Sequence, residues 1–312
     1  MVVCIATYRR PAQLALLLGD IASQTYRRCL VEDASLSPRP RVAVAVADND
    51  PDHHEVRPAE TVVDEARTEH PGLDLFFVHE TRPGVSHARN ASVACAPAAT
   101  YVAFIDDDER PSNRWLDELL AVRAVTDATV VVGPVVEVLP DAAPQWYTEG
   151  GFADEPGRAD ASPIGRCYAG NMLVCRRSLD AFSPPFDDRF QRTGGEDTFL
   201  SHNLTAAGAS MVWAAEALVT TEVPLDRLTL GFVLRREFVG ASSFTRGERI
   251  VYGFQPKRLV FGSGRMLIGL SSAAVAGLLG RRGTRASGLG NAARGAGVIA
   301  GALGIERVPG WW

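Results

Sequence analysis

The sequence predicts an α/β fold with a mostly parallel central sheet flanked by helices, and three observations lead to it. Short apolar runs alternate with segments in which apolar residues recur every three or four positions, which are the periods of strand and helix. This alternation favours parallel strands joined by right-handed crossovers. The apolar run 101–105 then ends in Asp106, Asp107 and Asp108, and the ligand crevice of an open α/β sheet lies outside the carboxyl ends of its strands.

The first half of the chain supplies four strands and the helices between them. Apolar residues at helical spacing predict a helix after Pro11, since proline is acceptable in a first turn. Ser112 is a suitable N-cap for the helix that follows the fourth strand. The expected strands are 1–7, 42–47, 73–79 and 101–105, and further helices are expected up to about His70 and over 85–96.

The second half has a less regular pattern. The polar segment 140–163, which contains Pro and Gly, is expected to form a loop over the site. A helix over 196–207 is expected to end at Gly208, and Asp226 is expected to cap a helix through Phe238. The expected strands are 128–139, 167–175, 211–214 and 218–223.

Composition fits a soluble globular enzyme. The 312 residues are 46% apolar and carry a net charge of −5, which disfavours a nucleic-acid partner because such proteins normally present a basic field. Five cysteines occur without CxxC spacing, so no structural zinc is indicated. Their odd number, and a first strand with no leader ahead of it, favour the reducing cytoplasm.

The three consecutive aspartates are the strongest chemical signal. Two carboxylates about 5 Å apart repel by about 3 kcal/mol at an effective dielectric constant of about 20, so Asp106, Asp107 and Asp108 favour a cation. Mg²⁺ or Mn²⁺ would suit their oxygen ligands and would also hold a phosphate. The alternative is a solvated acidic turn after a strand.

Six ordered motifs together resemble the family 2 glycosyltransferases. Their order and spacing match over about residues 1–245. The resemblance implies a GT-A fold and a transfer that inverts the anomeric carbon of a nucleotide-activated sugar. It also implies a catalytic domain over 1–245. The composition of the remaining residues, 246–312, predicts a helical extension rich in Gly, Ala and Arg. The motifs are ATYRRP (6–11), ADN (47–49), GVSHARN (84–90), FIDDDE (104–109), AGN (169–171) and GGED (194–197).

The resemblance places the nucleotide against the ends of the first strands. Thr7 and Tyr8 are expected to contact the nucleobase, and Asp48 is expected to accept a hydrogen bond from a uracil-type imide. Arg89, beside a helix N-terminus, suits a diphosphate. Two alternatives stay open: Tyr8 packs over the first helix, and Asp48 makes an Asx turn.

Within the acidic triplet, the resemblance makes Asp108 the main metal ligand of an Asp-x-Asp motif. Asp106 supports the metal or contacts the ribose, and Asp107 could take either role. Many GT-A enzymes have a histidine ligand where this chain has Glu222. We therefore expect that Glu222 replaces the histidine, or that Asp108 and the phosphates hold the ion alone.

The GGED motif supplies a carboxylate for the acceptor. By resemblance Asp197 is the general base for the acceptor hydroxyl, and Glu196 orients the acceptor or holds the loop. The alternative is a pair of acids that only stabilise a helix start. Gly170 and Asn171 are expected to border the donor sugar, with a turn role as the alternative.

These residues predict a metal-dependent glycosyltransferase of cell-surface polysaccharide or glycolipid assembly. The alternatives are transfer to a small natural product, a nucleotidyltransferase, or a nucleotide-sugar-binding module without catalysis. The second is disfavoured because no glycine-rich phosphate loop follows the first strand. The acceptor is expected to be a carbohydrate, a lipid-linked sugar or a small molecule.

The C-terminal extension carries an apolar run over 266–280. Its 15 residues are fewer than the about 20 needed to span a bilayer, so a span is not expected. Arginines around the run permit peripheral contact with the inner face of the membrane. Docking on the domain or on a second subunit in a homodimer is the equal alternative.

Overall fold

The computed structural model describes residues 1–24, 42–52, 57–96, 98–153, 157–191 and 193–305. It divides into two compact units. The first unit comprises Met1–Val136, Pro156–Gln191 and Ala207–Thr221, and the second comprises Glu137–Glu155, Arg192–Ala206 and Glu222–Trp312.

Strands and helices alternate along the described chain as expected. In chain order the elements are β1 (Val2–Thr7), α1 (Pro11–Ala22), β2 (Ala43–Asp48), α2 (Pro58–Glu69), β3 (Asp74–His79), α3 (Val85–Cys95), β4 (Tyr101–Ile105), β5 (Glu109–Pro111), α4 (Trp115–Thr126), β6 (Val130–Val132), β7 (Val135–Val138), α5 (Gln145–Glu149), β8 (Asn171–Cys175), α6 (Arg176–Asp180), α7 (Glu196–Ala206), β9 (Met211–Trp213), β10 (Val219–Glu222), α8 (Leu230–Tyr252), α9 (Pro256–Leu278) and α10 (Arg282–Leu303). Two short 3₁₀ helices lie at Asp188–Phe190 and Leu225–Leu228.

The first unit is built on a seven-stranded sheet in the order β3-β2-β1-β4-β8-β6-β9. Only β8 runs antiparallel to its neighbours, so the mostly parallel sheet is confirmed. Thr7 lies opposite Asp48 in the register of β1 and β2, and Asp48 lies opposite His79 in that of β2 and β3. The carboxyl ends of these strands therefore form one edge, where the crevice of an open parallel sheet lies.

The core of the first unit lies where the apolar spacing predicted it. All six residues of β2 are buried, as expected for a parallel strand covered on both faces. Trp115, the first residue of α4, is fully buried in the same cluster. The predicted apolar face of α1 is 0–1% exposed and comprises Leu14, Leu17, Leu18 and Ile21.

The second unit stacks three long helices through small residues. A Cβ atom added to Gly297 of α10 would lie 2.2 Å from the Phe238 carbonyl oxygen on α8. A Cβ atom added to Gly269 of α9 would lie 2.5 Å from the Ala292 backbone nitrogen of α10. Helix α10 thus packs backbone to backbone against both α8 and α9, which requires glycine at the contacts.

Two predicted helix caps are wrong, because side chains from elsewhere take their place. The Gln24 carboxamide oxygen accepts a hydrogen bond from Leu116 N at 3.2 Å, while the Ser112 hydroxyl has no hydrogen-bond partner among the described residues. Asp226 lies in a 3₁₀ turn, and Thr229 caps α8 by accepting from Phe232 N at 3.3 Å.

Three predicted segments differ in extent. The region 128–139 forms two strands, β6 and β7, and the strand predicted over 167–175 is confined to β8. The loop predicted over 140–163 contains the short helix α5. The expected division between residues 245 and 246 lies inside α8, and that division stays a proposal.

The apolar C-terminal segment is longer than its sequence suggested. Helix α9 has 23 residues and is, among the described residues, the one helix long and apolar enough to cross a membrane by length and composition. Arg265 lies inside this helix, and its guanidinium donates to the Asn291 side chain of α10 at 2.8 Å. The expectation of a 15-residue run too short to span is therefore corrected.

We expect Gly297→Ala to destabilise the protein by about 1–3 kcal/mol, because the new methyl group would force α10 away from the Phe238 carbonyl. Gly264→Ala is the matched control: its Cβ atom would meet nothing within 4 Å in α9, so removing a helix glycine should stabilise by about 0.5–1 kcal/mol. Chemical denaturation measures both. Equal effects of the two changes would contradict the close packing.

Candidate active site

The carboxyl edge of the first unit's sheet brings together most of the predicted nucleotide and metal residues. Thr7 ends β1, Asp48 ends β2, and the acidic triplet follows β4. Parallel pairing of β1 with both β2 and β4 places these strand ends side by side. The sheet topology therefore agrees with the prediction of one acidic crevice at this edge.

Asp107 is the buried anchor of the triplet. Its carboxylate accepts a hydrogen bond from the Thr7 hydroxyl at 2.8 Å and another from Arg10 Nη1 at 2.8 Å. Burial raises the pKa of Asp107, whereas the Arg10 charge and the Thr7 hydrogen bond lower it. Thr7 is itself 2% exposed, so its hydroxyl supports Asp107 from inside the fold.

Asp106 and Asp108 present the accessible carboxylates of the triplet. The Asp106 side chain is 40% exposed and pairs with Arg89 Nη2 at 2.7 Å, while Asp108 is 28% exposed and pairs with Arg10 Nη1 at 2.8 Å. Arg10 thus bridges Asp107 and Asp108 with one nitrogen. Sequence reasoning missed Arg10, although its place next to the first strand end was a usable signal.

Arg89 is the buried partner of Asp106. It lies on α3 and is 8% exposed, and its guanidinium stands 5.8 Å from the centroid of the Phe186 ring. Because the guanidinium is buried and charged, it both neutralises Asp106 and fixes its orientation. The predicted anionic contact of Arg89 is therefore made to a carboxylate of the protein itself.

Glu109 is a site residue that the sequence analysis did not single out. It is 5% exposed, and its Oε2 atom accepts a hydrogen bond from Asp106 N at 2.8 Å, which closes the turn that carries the triplet. Burial raises the pKa of Glu109 well above its ordinary value, and the nearby charge of Asp106 adds to the rise. The signal was a fourth acid directly after three.

Gly170 lies against the Glu109 carboxylate. A Cβ atom at Gly170 would lie 2.6 Å from Glu109 Oε1, closer than real Cβ atoms approach any neighbour. A side chain at this position would therefore require the Glu109 carboxylate to shift. The predicted place of Gly170 near a sugar is thus accompanied by a definite structural role.

Asn171 uses all of its side-chain hydrogen-bonding groups inside the fold. Its amide nitrogen donates to the carbonyl oxygens of Pro134 at 2.9 Å and Ala217 at 2.7 Å, and its oxygen accepts from Trp115 Nε1 at 2.8 Å. The residue is 1% exposed. These hydrogen bonds connect β8 to α4 and to two loops, so Asn171 has a structural role beside the site.

Asp48 and Tyr8 differ in how free their side chains are. Asp48 Oδ1 accepts from Asp50 N at 3.1 Å, which is the Asx turn that the sequence offered as an alternative. Burial raises the pKa of Asp48, and its Oδ2 atom makes no hydrogen bond to another described residue. The Tyr8 ring is 48% exposed, with the Arg9 guanidinium 5.1 Å from its centroid.

In the second unit, the GGED motif begins α7. Gly195 has φ +90°, which favours glycine. A Cβ atom there would also lie 2.5 Å from the Ser243 side chain on α8, so both the backbone conformation and the packing require glycine at this position. Glu196 is buried, and Asp197 Oδ1 accepts from Thr198 N at 2.6 Å. The helix N-terminus favours both carboxylates.

Glu222 ends β10 in the second unit, and its side chain is exposed. Among the described residues there is no group of three or more His, Cys, Asp or Glu that could hold a metal by itself. The accessible carboxylates of the triplet are those of Asp106 and Asp108. Magnesium sites that also bind phosphates commonly use one or two.

The aromatic residues of the 140–163 segment anchor it within the second unit. Tyr147 is 1% exposed and donates to Glu137 at 2.6 Å, and it also accepts from Arg236 at 3.1 Å. The Trp146 and Phe152 ring centroids lie 5.9 Å apart. Stacking on a substrate ring is not required to explain them.

Residues 2–182 match the model of glycosyl transferase family 2. The chain belongs to this family. It is also 32% identical over 236 residues to the succinoglycan biosynthesis protein ExoM of Rhizobium meliloti (strain 1021), a match that covers 75% of this chain and 70% of ExoM. The resemblance seen in the six motifs is confirmed.

Solved structures place the chain in the GT-A fold. The mannosyltransferase PcManGT from Pyrobaculum calidifontis, in complex with GDP-Man and Mn²⁺, aligns with a TM-score of 0.59 at 17% identity over 94% of this chain and 85% of that chain. GalNAc-T7 with UDP, GalNAc and Mn²⁺ aligns at 0.57 with 14% identity over 85% and 50%. S. aureus TarS 1-349 with UDP-GlcNAc aligns at 0.52 with 12% identity over 91% and 89%. The glycosyltransferase fold is thus confirmed.

We expect the contribution of Glu109 to the stability of the protein to fall as pH rises above about 4.5, the ordinary pKa of this residue, because the folded state holds its proton more tightly than the unfolded state. Glu109→Gln should remove this contribution while keeping an acceptor for Asp106 N. The free energy of unfolding of the variant, relative to wild type, should rise with pH by up to about 1.4 kcal/mol per unit. Denaturant melts at pH 5 and 7.5 measure it.

Glu60→Gln, at an exposed position on α2, is the matched control and should show no such slope. A wild-type minus Glu109→Gln difference that is the same at both pH values would contradict the raised pKa.

Proposed function

We propose that the protein is an inverting, metal-dependent glycosyltransferase that moves a sugar from a nucleotide-sugar donor to an acceptor hydroxyl in polysaccharide or glycolipid assembly. The observation that carries the proposal is the acidic turn at the carboxyl edge of the sheet in a chain of glycosyl transferase family 2. In this turn Asp106 and Asp108 present accessible carboxylates that are held by Arg89 and Arg10. The name of the ExoM relative supports polysaccharide assembly.

In this proposal the donor's nucleotide lies along the strand ends. Tyr8 offers an exposed ring for the base, and Asp48 offers the Oδ2 atom that the Asx turn leaves available. Thr7 and Asp107 are positioning residues, since both side chains are buried and bonded to each other. Gly170 and Asn171 shape the wall beneath the donor sugar.

The residues of the triplet fit a divalent cation. Asp106 and Asp108 are exposed in part, and each has a carboxylate oxygen, Oδ2 of Asp106 and Oδ1 of Asp108, that bonds to no other described residue. Hard oxygen ligands suit Mg²⁺ or Mn²⁺, and two of the aligned structures contain Mn²⁺. Either Glu222 would supply a further ligand, or Asp108 and the phosphates would hold the ion without it. When bound, the ion would offset negative charge on the leaving nucleoside diphosphate.

Asp197 acts as the general base in this proposal. It takes the proton of the acceptor hydroxyl as that oxygen bonds to the anomeric carbon and the bond to the diphosphate breaks, so the configuration inverts. Glu196, buried behind it, orients the acceptor or the helix start. The backbone amide of Thr198 donates a hydrogen bond to the Asp197 carboxylate.

Two of the aligned structures contain nucleoside diphosphate sugars, GDP-Man and UDP-GlcNAc, which favours a donor of the same class here. Glycosylation of a small natural product keeps the same residues and changes only the acceptor. A nucleotidyltransferase or a binding module without catalysis is disfavoured by family membership. We place the catalytic segments within 1–245 and the protein in the cytoplasm, without a nucleic-acid partner.

Asp108→Asn and Asp197→Asn should each lower kcat by about 10²–10⁴-fold, since one loses charge at the diphosphate and the other loses the base. Turnover with UDP-, GDP- and dTDP-sugars measures this, with thermal melts to show that both variants fold. Asp64→Asn, at an exposed position on α2, is the control and should retain wild-type kcat. Full activity of both site variants would refute the assignment.

Arg10→Gln should tighten Mn²⁺ binding in the absence of donor by about tenfold, because Asp107 and Asp108 then lose their common counter-ion. Electron paramagnetic resonance of free Mn²⁺ measures the affinity without turnover. Arg10→Lys retains the charge and should stay near wild type, and adding Asp108→Asn to Arg10→Gln should cancel the gain. Unchanged affinity in Arg10→Gln would show that Mn²⁺ does not bind at this pair.

A further inference from the structure

The outer face of α9 exposes a continuous set of large apolar side chains. We call these residues the outer stripe. They fall on the side of the helix opposite the small residues that pack on α10, such as Gly262, Gly269 and Ala273. Contiguous apolar surface of this kind marks an interaction site in proteins. The stripe comprises Val260, Leu267, Ile268, Val275 and Leu278, which are 76%, 61%, 72%, 58% and 89% exposed.

The segment that carries the outer stripe is strongly basic within an acidic protein. Residues 256–305 contain seven Lys or Arg and no Asp or Glu, whereas the whole chain has a net charge of −5. Three of the basic side chains have partners: Arg258 with Glu248, Arg265 with Asn291, and Arg294 with Glu237.

The other four basic residues flank the outer stripe. Lys257 precedes Val260 by three positions, so it lies on the same side of α9. Arg281, Arg282 and Arg285 follow the end of the helix and are exposed. None of the four makes an ion pair with another residue that the structure describes, so their charge is available to an external partner.

We propose that the outer stripe lies in the surface of an anionic lipid bilayer, with Lys257 and the three following arginines over the lipid head groups. An apolar face with basic residues at its ends is the pattern of helices that bind in the plane of an anionic membrane. The cytoplasmic leaflet attracts such residues by its negative surface potential.

Helix α9 lies on the membrane and does not cross it. Its inner face packs on α10 without room for side chains, as at Gly269 and Ala292, and α10 packs equally closely on α8. Helix α8 carries ion-paired groups such as Arg236 and Glu248. Crossing the bilayer would bury those charges in hydrocarbon or separate the three helices, and both are costly.

The charge distribution also favours lipid over a second copy of this chain. A symmetric self-contact through the outer stripe would bring two copies of the same basic residues together, with no acidic residue in 256–305 to offset them. An anionic bilayer supplies the opposite charge. A membrane-bound position would suit a lipid-linked acceptor if the proposed function holds, whereas the membrane contact itself does not depend on that function.

Flotation with lipid vesicles tests the proposal without turnover. The full-length protein is mixed with vesicles of pure phosphatidylcholine and with vesicles containing about one third phosphatidylglycerol. We expect binding to the anionic vesicles that is lost in Leu267→Glu/Ile268→Glu. Each of Arg281→Glu and Arg282→Glu should weaken it by at least about fivefold, equal to about 1 kcal/mol. Val125→Glu, 84% exposed on α4, and Arg177→Glu, exposed on α6, are matched controls and should bind as wild type.

Four results would overturn the proposal. One is wild-type protein that binds neither vesicle type. Another is binding that the stripe variants leave unchanged. The third is sedimentation equilibrium showing a wild-type dimer that Leu267→Glu/Ile268→Glu converts to a monomer, since the stripe would then be a subunit interface. Release of bound wild-type protein at high salt supports a peripheral position, and retention until detergent is added would show that α9 crosses the bilayer.

Discussion

The neutralisation of four successive acidic residues, 106–109, is the constraint on which the candidate site depends. Each acid is balanced in its own way: Asp106 by the buried Arg89, Asp107 and Asp108 by the shared Arg10, and Glu109 by burial that favours its protonated form. Unbalanced, such a run would repel itself by several kcal/mol and would not hold a tight turn. The protein thus holds an acidic edge ready for a cation without needing a cation to fold it.

The four acids also alternate in exposure, which divides their roles. Asp106 and Asp108 are 40% and 28% exposed at the side chain, whereas Asp107 and Glu109 are 6% and 5% exposed. The four residues form the turn between β4 and β5, in which Glu109 N donates to the Asp106 carbonyl oxygen at 3.2 Å. The buried pair bonds to Thr7, Arg10 and Asp106 N, and this fixes the outward pair. The orientation of the accessible carboxylates is therefore a consequence of the contacts that the buried pair makes.

The sequence was sufficient for whatever depends on local periodicity, and insufficient for whatever depends on distant partners. The apolar face of α1 and the parallel strands follow from spacing within ten residues or so, and the structure confirms both. The cap of α4 comes from Gln24, 92 positions away, and the partners of Asp107 are about 100 positions away. The AGN motif predicted that Asn171 borders the donor sugar. The structure adds that the Asn171 amide nitrogen donates to the carbonyl oxygens of Pro134 and Ala217, two loops that no local sequence pattern connects. Side chains of this kind become recognisable only once the sheet has brought their partners together.

The composition of the C-terminal segment has a single geometric cause. A glycine inside a helix costs about 0.5–1 kcal/mol relative to alanine, so a helix such as α10 with many glycines is unfavourable alone. Its glycines are needed where the backbones of α8 and α9 approach it, as at Gly297 and Gly269. Because the small residues of α9 are turned inward for this contact, its large apolar residues must face outward, the reverse of the usual arrangement in a water-soluble helix bundle. The close contact with α10 therefore exposes the outer stripe, and the basic residues at its ends favour an anionic bilayer as its partner.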